Sequence, residues 1–350
     1  MPAAAPEQWG RRLSDAIREA LDAGDLASAR RLALEGDGQA RSLEKEYSLM
    51  YRGLGITLRV LLNILGKMPV GDECGALLRR FREDMTACMG RVYTSPEARR
   101  AMEAVPERLA QPSGSDVGAE LARTARFLEA AEDLFVAEQG RLAREAVGAM
   151  EVGDAGRARA LLDDKELGQY VPLHDRTIRF MAEVMGHVLE RFGPAELLRF
   201  HMAAAEGQRQ GFEKWERMSP AEFAQASAFL LKQHMGQVHV REDDEKFTIE
   251  QTPCGSGGRL RLAGAYSGPG ALPLVGASGP LTLGQEEFPV YCSHCPVWNG
   301  VAPAEWFGRP HWVFDNPSRR DGSCTLHIYK RRDEAPADYV RRLAVPGPPR

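Results

Sequence analysis

Four of the chain's six cysteines, Cys254, Cys292, Cys295 and Cys324, crowd into its C-terminal third. The sharpest motif there is Tyr291-Cys292-Ser293-His294-Cys295. Two cysteines separated by two residues can present both sulfurs to one metal ion, and zinc and iron both favour such thiolate pairs. Cys254 and Cys324 can complete a four-cysteine set, with His294, His311 or His327 able to replace either. The spacing is not that of a regular zinc finger, because 37 residues separate Cys254 from Cys292. Two plainer readings stay open. Cys324 shares a strand face with Leu326 and Ile328 and can be a small buried hydrophobe. The pair can also be a redox dithiol, but that motif opens a helix after a strand, whereas Pro296 follows the pair here and a short loop is expected.

The second motif is Pro253-Cys254-Gly255-Ser256-Gly257-Gly258-Arg259. A glycine-rich turn after a strand can aim several backbone N–H groups at one anionic point. With Cys254 at its head the loop could combine a nucleophile with an oxyanion hole. Arg259 and Arg261 could grip a substrate carboxylate. It is neither a Walker loop nor a dinucleotide fingerprint, since the required lysine and the βαβ unit are missing. A tight turn whose glycines serve backbone geometry is the equal alternative. Three of the five tryptophans, Trp298, Trp306 and Trp312, follow the cysteine pair closely, beside His311. They either wall an apolar pocket over the metal or form the core of a small domain. No histidine occurs before His174. His174, Asp175 and His201 could line a pocket, or be scattered core and surface residues, because no His-x-x-x-His pair sets two ligands on one helical face.

The elements that must position these residues change character near residue 240. From Glu7 to about Gly236 the chain reads as helix, with apolar residues at three- and four-residue spacing. Breaks are expected at Gly24-Asp25, Met68 to Gly71, Gln111 to Asp116, Gly153-Asp154 and Gly193-Pro194. The helical region reads as a tandem duplication. Arg18-Glu19-Ala20-Leu21, Gly24-Asp25 and Ala29-Arg30 have counterparts in Arg144-Glu145-Ala146-Val147, Gly153-Asp154 and Ala158-Arg159. Further on, Ser95-Pro96 and Ser219-Pro220 both read as an N-cap followed by proline at the first helical position. Beyond the acidic run 241–246, strands are expected at Phe247 to Thr252, Pro289 to Tyr291, His311 to Phe314 and Cys324 to Tyr329, then a short helix from Ala337 to Leu343. The expected fold is α+β: helical copies over 1–115 and 116–240, a small mixed, cysteine-rich metal-binding domain over 241–335, and a tail over 336–350.

Composition narrows the class. At 350 residues, with 43% apolar and 27% charged, the chain can bury a core in each of two domains. A net charge of −4 without a basic block gives no footprint for nucleic acid. The N-terminus lacks a signal-peptide core. The most apolar stretch, Leu54 to Met68, is interrupted by Arg59, Asn63 and Lys67 and is short for a membrane span. A soluble, cytoplasmic protein is expected, where cysteines serve as ligands or nucleophiles more than as disulfides.

The segment 242–330 resembles a family of uncharacterised bacterial proteins. The shared pattern runs through Glu242 to Lys246, the Pro253 to Arg259 loop, Tyr291 to Cys295, Glu305-Trp306-Phe307-Gly308-Arg309-Pro310 and Cys324 before Ile328-Tyr329-Lys330. A fainter resemblance, to aminothiazoline-carboxylate hydrolase-like proteins, rests on Asp321-Gly322-Ser323-Cys324, one residue shorter between Gly and Cys than their pattern. It implies hydrolysis and bears on no residue but Cys324.

Together the motifs predict a metal-dependent hydrolase or lyase acting on a small, carboxylated molecule. Cys254, Cys292 and Cys295 would bind Zn2+, or alternatively Fe, leaving a fourth position open, and Cys324 as a fourth ligand would close the site. His294 or His311 would serve as acid–base, with Arg259 as the carboxylate anchor. Arg261, Trp298, Trp306, Trp312 and His174 would bind substrate. Two rivals remain: a helical scaffold with a structural four-cysteine zinc site, and a metal-free enzyme using Cys254. The partner expected is a small-molecule substrate, with no nucleic acid and no membrane, and a homodimer is an open assembly.

Overall fold

The computed structural model describes residues 5–40, 42–103, 116–318, 320–331 and 333–344, with Asn316 by its backbone alone. The break expected at 111–115, Arg319 in the turn before the last strand, and the proline-rich end at 345–350 lie outside the described residues. The protein is mostly helical, 65%, with a small antiparallel sheet, so the α+β class holds. Residues 11–177 form one compact unit, and residues 1–10 with 178–350 form another.

The first unit contains α1 (Leu13–Asp22), α2 (Leu26–Glu35), α3 (Ser48–Leu65), α4 (Asp72–Val92), α5 (Pro96–Glu103), α6 (Val117–Glu151), α7 (Ala155–Asp163) and the opening turns of α8 (Val171–Phe192). The two Gly-Asp turns have matching geometry. Gly24 and Gly153 take φ of 73° and 83°, and the next residue caps a helix: Asp25 accepts from the Ser28 N–H and Asp154 from the Arg157 N–H, both at 2.9 Å. The hairpins cross-link reciprocally, Arg30 to Glu151 at 2.7 Å and Arg159 to Asp22. Each arginine stands five residues after its turn aspartate and each acid three before it.

Between α7 and α8 a wide π turn, Asp164–Tyr170, carries buried Lys165, Glu166, Gln169 and Tyr170. Glu166 is buried and accepts from Ser14 and Tyr47, and it pairs with Arg18 at 2.6 Å. The Lys165 ammonium donates to the Glu46 carbonyl at 3.3 Å, and burial lowers its pKa. Among the described residues, α3 alone is long and apolar enough to cross a membrane; half of it is buried, as in a core helix.

In the second unit α9 (Pro194–Glu206), α10 (Arg209–Glu216) and α11 (Pro220–Gln233) precede the strands. Ser219 and Glu222 cap α11 reciprocally, the expected stop-and-restart at Ser-Pro. The sheet runs β1 (Val238–Glu242), β2 (Lys246–Gln251), β6 (Cys324–Tyr329), β5 (Val313–Asn316), all antiparallel, and a separate pair joins β3 (Leu274–Val275) to β4 (Phe288–Pro289). Phe247, Ile249 and Gln251 on β2, and Cys324, Leu326 and Ile328 on β6, are buried at every second position. The sequence reading missed β1. The acidic run ends β1 and makes its hairpin turn at 243–245, in which the Asp243 carboxylate accepts from the Glu245 and Lys246 N–H groups at 2.8 Å each.

The cysteine pair also differs from the short loop expected. It lies in a run of helical turns, Val290–Ser293, His294–Pro296, Val297–Val301 and Ala302–Phe307, directly after β4. The Ser293 hydroxyl donates to the Val290 carbonyl at 2.6 Å and closes the first turn.

Candidate metal centre

All six cysteines are free thiols. Four of them lie near one another, and two, Cys254 and Cys324, are brought close because β2 and β6 are neighbours. Gln251 at the end of β2 sits opposite Cys324 at the start of β6. Three residues later the Cys254 N–H donates to the Gly322 carbonyl at 2.9 Å, pinning the glycine-rich loop beside Cys324. The chain then turns into α12 (Gly257–Leu262). A Cβ on Gly258 would overlap the Gly322 oxygen and lie 3.0 Å from Cys254 Cβ, and one on Gly257 would lie 2.7 Å from Cys292 Sγ. The glycines are there because another chain segment occupies the space a side chain would need.

Cys292 and Cys295, three apart on a helical turn, face the same side. Cys292 and Cys324 are buried, while Cys254 and Cys295 reach the surface in part. Arg261 stands among them. Its Nη1 donates to Cys292 Sγ at 3.1 Å and its Nη2 to the Ser323 carbonyl at 3.2 Å. Burial pushes the Cys292, Cys295 and Cys324 thiols up, and each is raised further by neighbouring cysteines, Cys254 among them, while Arg261 works the other way. Four thiols and one guanidinium therefore share one desolvated patch. Among the described residues, no three His, Cys, Asp or Glu side chains are gathered closely enough to hold a metal ion. The donor set suits a soft or borderline dication, and ligation would need the sulfurs to draw in and shed their protons.

His294 extends the cluster. Its Nδ1 lies 2.5 Å from the Tyr291 carbonyl, which can only accept, so Nδ1 carries the proton and Nε2 is bare. That Nε2 is 3.4 Å from Cys295 Sγ and accepts from its S–H. Burial lowers His294 to about 4, so the ring is neutral at pH 7. Trp298 packs edge-on against His294 at 4.8 Å and donates its indole N–H to the His201 carbonyl at 3.1 Å. His201 in turn bonds Ser293 Oγ at 2.9 Å, and burial, then the nearby His294, lowers it to about 3.

The structure thus assembles Cys254, Cys292, Cys295, Cys324, Arg261, His294 and Trp298. Other predicted residues have different partners. Arg259 Nη1 donates to the His234 and Met235 carbonyls at 2.8 and 3.1 Å. His311 Nε2 bonds Glu216 at 3.0 Å and its ring stacks on Phe307; with His327 it borders a small cavity of about 20 Å³. Trp306 packs against Phe212, and Trp312 donates to Ser227 Oγ at 3.0 Å. His174 belongs to the helical unit, buried, with Nδ1 2.8 Å from Asp175. Sequence reasoning did not give Ser293 a role or find the link from His201 to it, since 92 positions separate the two and Ser293 reads only as a spacer inside the cysteine motif.

No protein-family model, curated protein or solved structure matches the chain.

Proposed function

We propose that the protein is a metal-dependent enzyme of hydrolase or lyase type, with Cys254, Cys292 and Cys295 holding one zinc ion, iron being the alternative. The observation that carries this reading is the gathering of four cysteines from three chain segments, with Arg261 donating to Cys292 and a neutral imidazole beside Cys295. Charge supports three thiolates over four. Three thiolates, a dication and Arg261 sum to zero, which a desolvated patch tolerates best. Cys324, on the apolar face of β6, then remains a thiol.

A bound dication would supply Lewis acidity and a position for water or substrate. The chain's own residues do the rest. Loss of the Cys295 proton frees His294 Nε2 to take or return a proton, with Nδ1 locked on the Tyr291 carbonyl so that the tautomer is set. Trp298 covers one side of His294. The resemblance to hydrolase-like proteins agrees with this chemistry, and a small carboxylated substrate in the reducing cytoplasm remains part of the proposal. A structural four-cysteine site is the second reading. It is favoured by the bond from Cys254 N–H to Gly322, which ties two donors together as a closed site would require.

Elemental analysis of protein purified without chelators, alongside Cys254→Ser, Cys292→Ser and Cys324→Ser, tests both. One zinc or iron per chain, lost on changing Cys254 or Cys292 and kept on changing Cys324, is the expected result. Loss in all three with unfolding selects the structural site, and absence of metal in the wild type overturns the metal reading.

A further inference from the structure

Resting on the metal reading, we infer that Arg261 is a positioning residue of the thiolate centre, a built-in cation that neutralises the metal–thiolate group and fixes Cys292 against β6. The guanidinium is bidentate across two segments. One N–H meets Cys292 Sγ and another meets the carbonyl of Ser323, the residue before Cys324. A lysine would offer one compact point of charge, whereas the guanidinium offers a rigid fork with separate nitrogens aimed at the two segments.

The helix that carries Arg261 is shaped for this contact. Gly257, four residues earlier, lies on the same face of α12. A Cβ there would meet Cys292 Sγ at 2.7 Å and Arg261 Nη1 at 3.5 Å. The bare backbone and the guanidinium are two walls of one cradle around the Cys292 sulfur. A thiolate accepts an N–H bond more strongly than a thiol does, as charged acceptors generally do. The contact is therefore worth more once the site is loaded, and that differential makes it a metal-retention device as well as a packing contact.

The test uses the full chain, stripped of metal and reloaded with Co2+, whose thiolate charge-transfer absorption reports ligation. Release to a chromophoric chelator is timed for the wild type, Arg261→Met, Arg261→Lys and a control, Arg199→Met, whose arginine is exposed and pairs with Glu196. Outer-shell partners typically contribute about 10–100-fold to metal affinity. Arg261→Met should release Co2+ faster by about that factor. Arg261→Lys should fall between it and the wild type, and Arg199→Met should match the wild type. Far-UV circular dichroism of the metal-free forms should be alike. Wild-type release rates in Arg261→Met overturn the inference while leaving the metal reading standing. If Arg261→Met does not fold, wild-type release in Arg261→Lys overturns it equally. A wild type that takes up neither Co2+ nor Zn2+ removes the metal reading itself, and this inference with it.

Discussion

Replacing Gly257 with alanine adds one methyl group where the structure has no room to spare. The new Cβ would stand 2.7 Å from Cys292 Sγ and 3.2 Å from Tyr291 Cδ1. Non-bonded heavy atoms settle at about 3.5–4.0 Å, so the sulfur or the helix must give by roughly 1 Å. Neither yields freely. Arg261 and the helical turn hold Cys292, and α12 is anchored through Arg259 on the His234 and Met235 carbonyls. Overpacking of this kind costs about 1–3 kcal/mol. Across a unit of this size each kcal/mol moves the melting temperature by about 2–4 °C, so a fall of about 2–12 °C is expected. Metal sites tolerate only about 0.2 Å in ligand distance, so Co2+ affinity should drop further than the stability change alone implies.

The assay is thermal unfolding of the metal-free and metal-loaded forms, with Gly211→Ala as control. Gly211 lies inside α10, where an added Cβ would have nothing within 4 Å, and alanine there should stabilise slightly through its helix propensity. The reasoning is refuted if Gly257→Ala melts with the wild type and binds Co2+ equally well. It is also refuted if the two alanine variants behave alike.

Two further predictions concern buried polar groups. His201 is neutral when folded, its pKa lowered by burial from 6.5 to about 3. The unfolded state therefore binds the extra proton, and stability is complete above about pH 6.5 and declines as pH falls towards 3. At pH 5 the loss is about 2 kcal/mol. His201→Gln keeps a donor for Ser293 and should flatten the acid limb of a stability–pH curve; an unchanged limb would count against the assignment. In the helical unit, Glu166→Ala leaves Arg18, Ser14 and the Tyr47 hydroxyl without their shared acceptor. Removing one member of such a buried charged group costs about 3–5 kcal/mol, readable by urea denaturation, and a loss under about 1 kcal/mol would show that the network contributes little.

How much of this was legible in the sequence depended on the range of the interaction. Helix breaks at Gly24-Asp25, Gly153-Asp154 and Ser219-Pro220 are local chemistry, a glycine able to take positive φ and a side chain that caps three residues on, so they could be read directly. So could β6, whose alternation puts Cys324, Leu326 and Ile328 on one face. β1 was hidden because Arg241 and Glu242 look like part of a charged loop, yet they sit on an edge strand whose outward positions can be charged. The approach of four thiols was suggested by residue type alone; the pairing of β2 with β6 brings Cys254 to Cys324, the contact of Cys292 with α12 brings the other pair, and no spacing encodes either. Arg259 and Arg261 stand two apart and read as equivalent anchors. On a helix two residues apart face different ways, so one meets carbonyls at the end of α11 and the other meets a sulfur.

The same electrostatics bears on whether Cys292 or Cys295 could act as a free nucleophile. A reactive thiol must be a thiolate at working pH, held by a nearby cation or a protonated imidazole. Here Cys295 and His294 face each other at 3.4 Å, but burial raises the thiol and lowers the imidazole to about 4. Both shifts favour the neutral pair, so no thiolate–imidazolium pair forms between them. Arg261 alone leaves Cys292 raised despite its direct contact. What this patch lacks is positive charge, and a dication supplies more of it than any residue nearby. Desolvation that penalises a lone thiolate also strengthens its attraction to a metal. Under the proposal, the burial that argues against a free thiolate at Cys292 or Cys295 is what would favour three thiolates gathered around one ion.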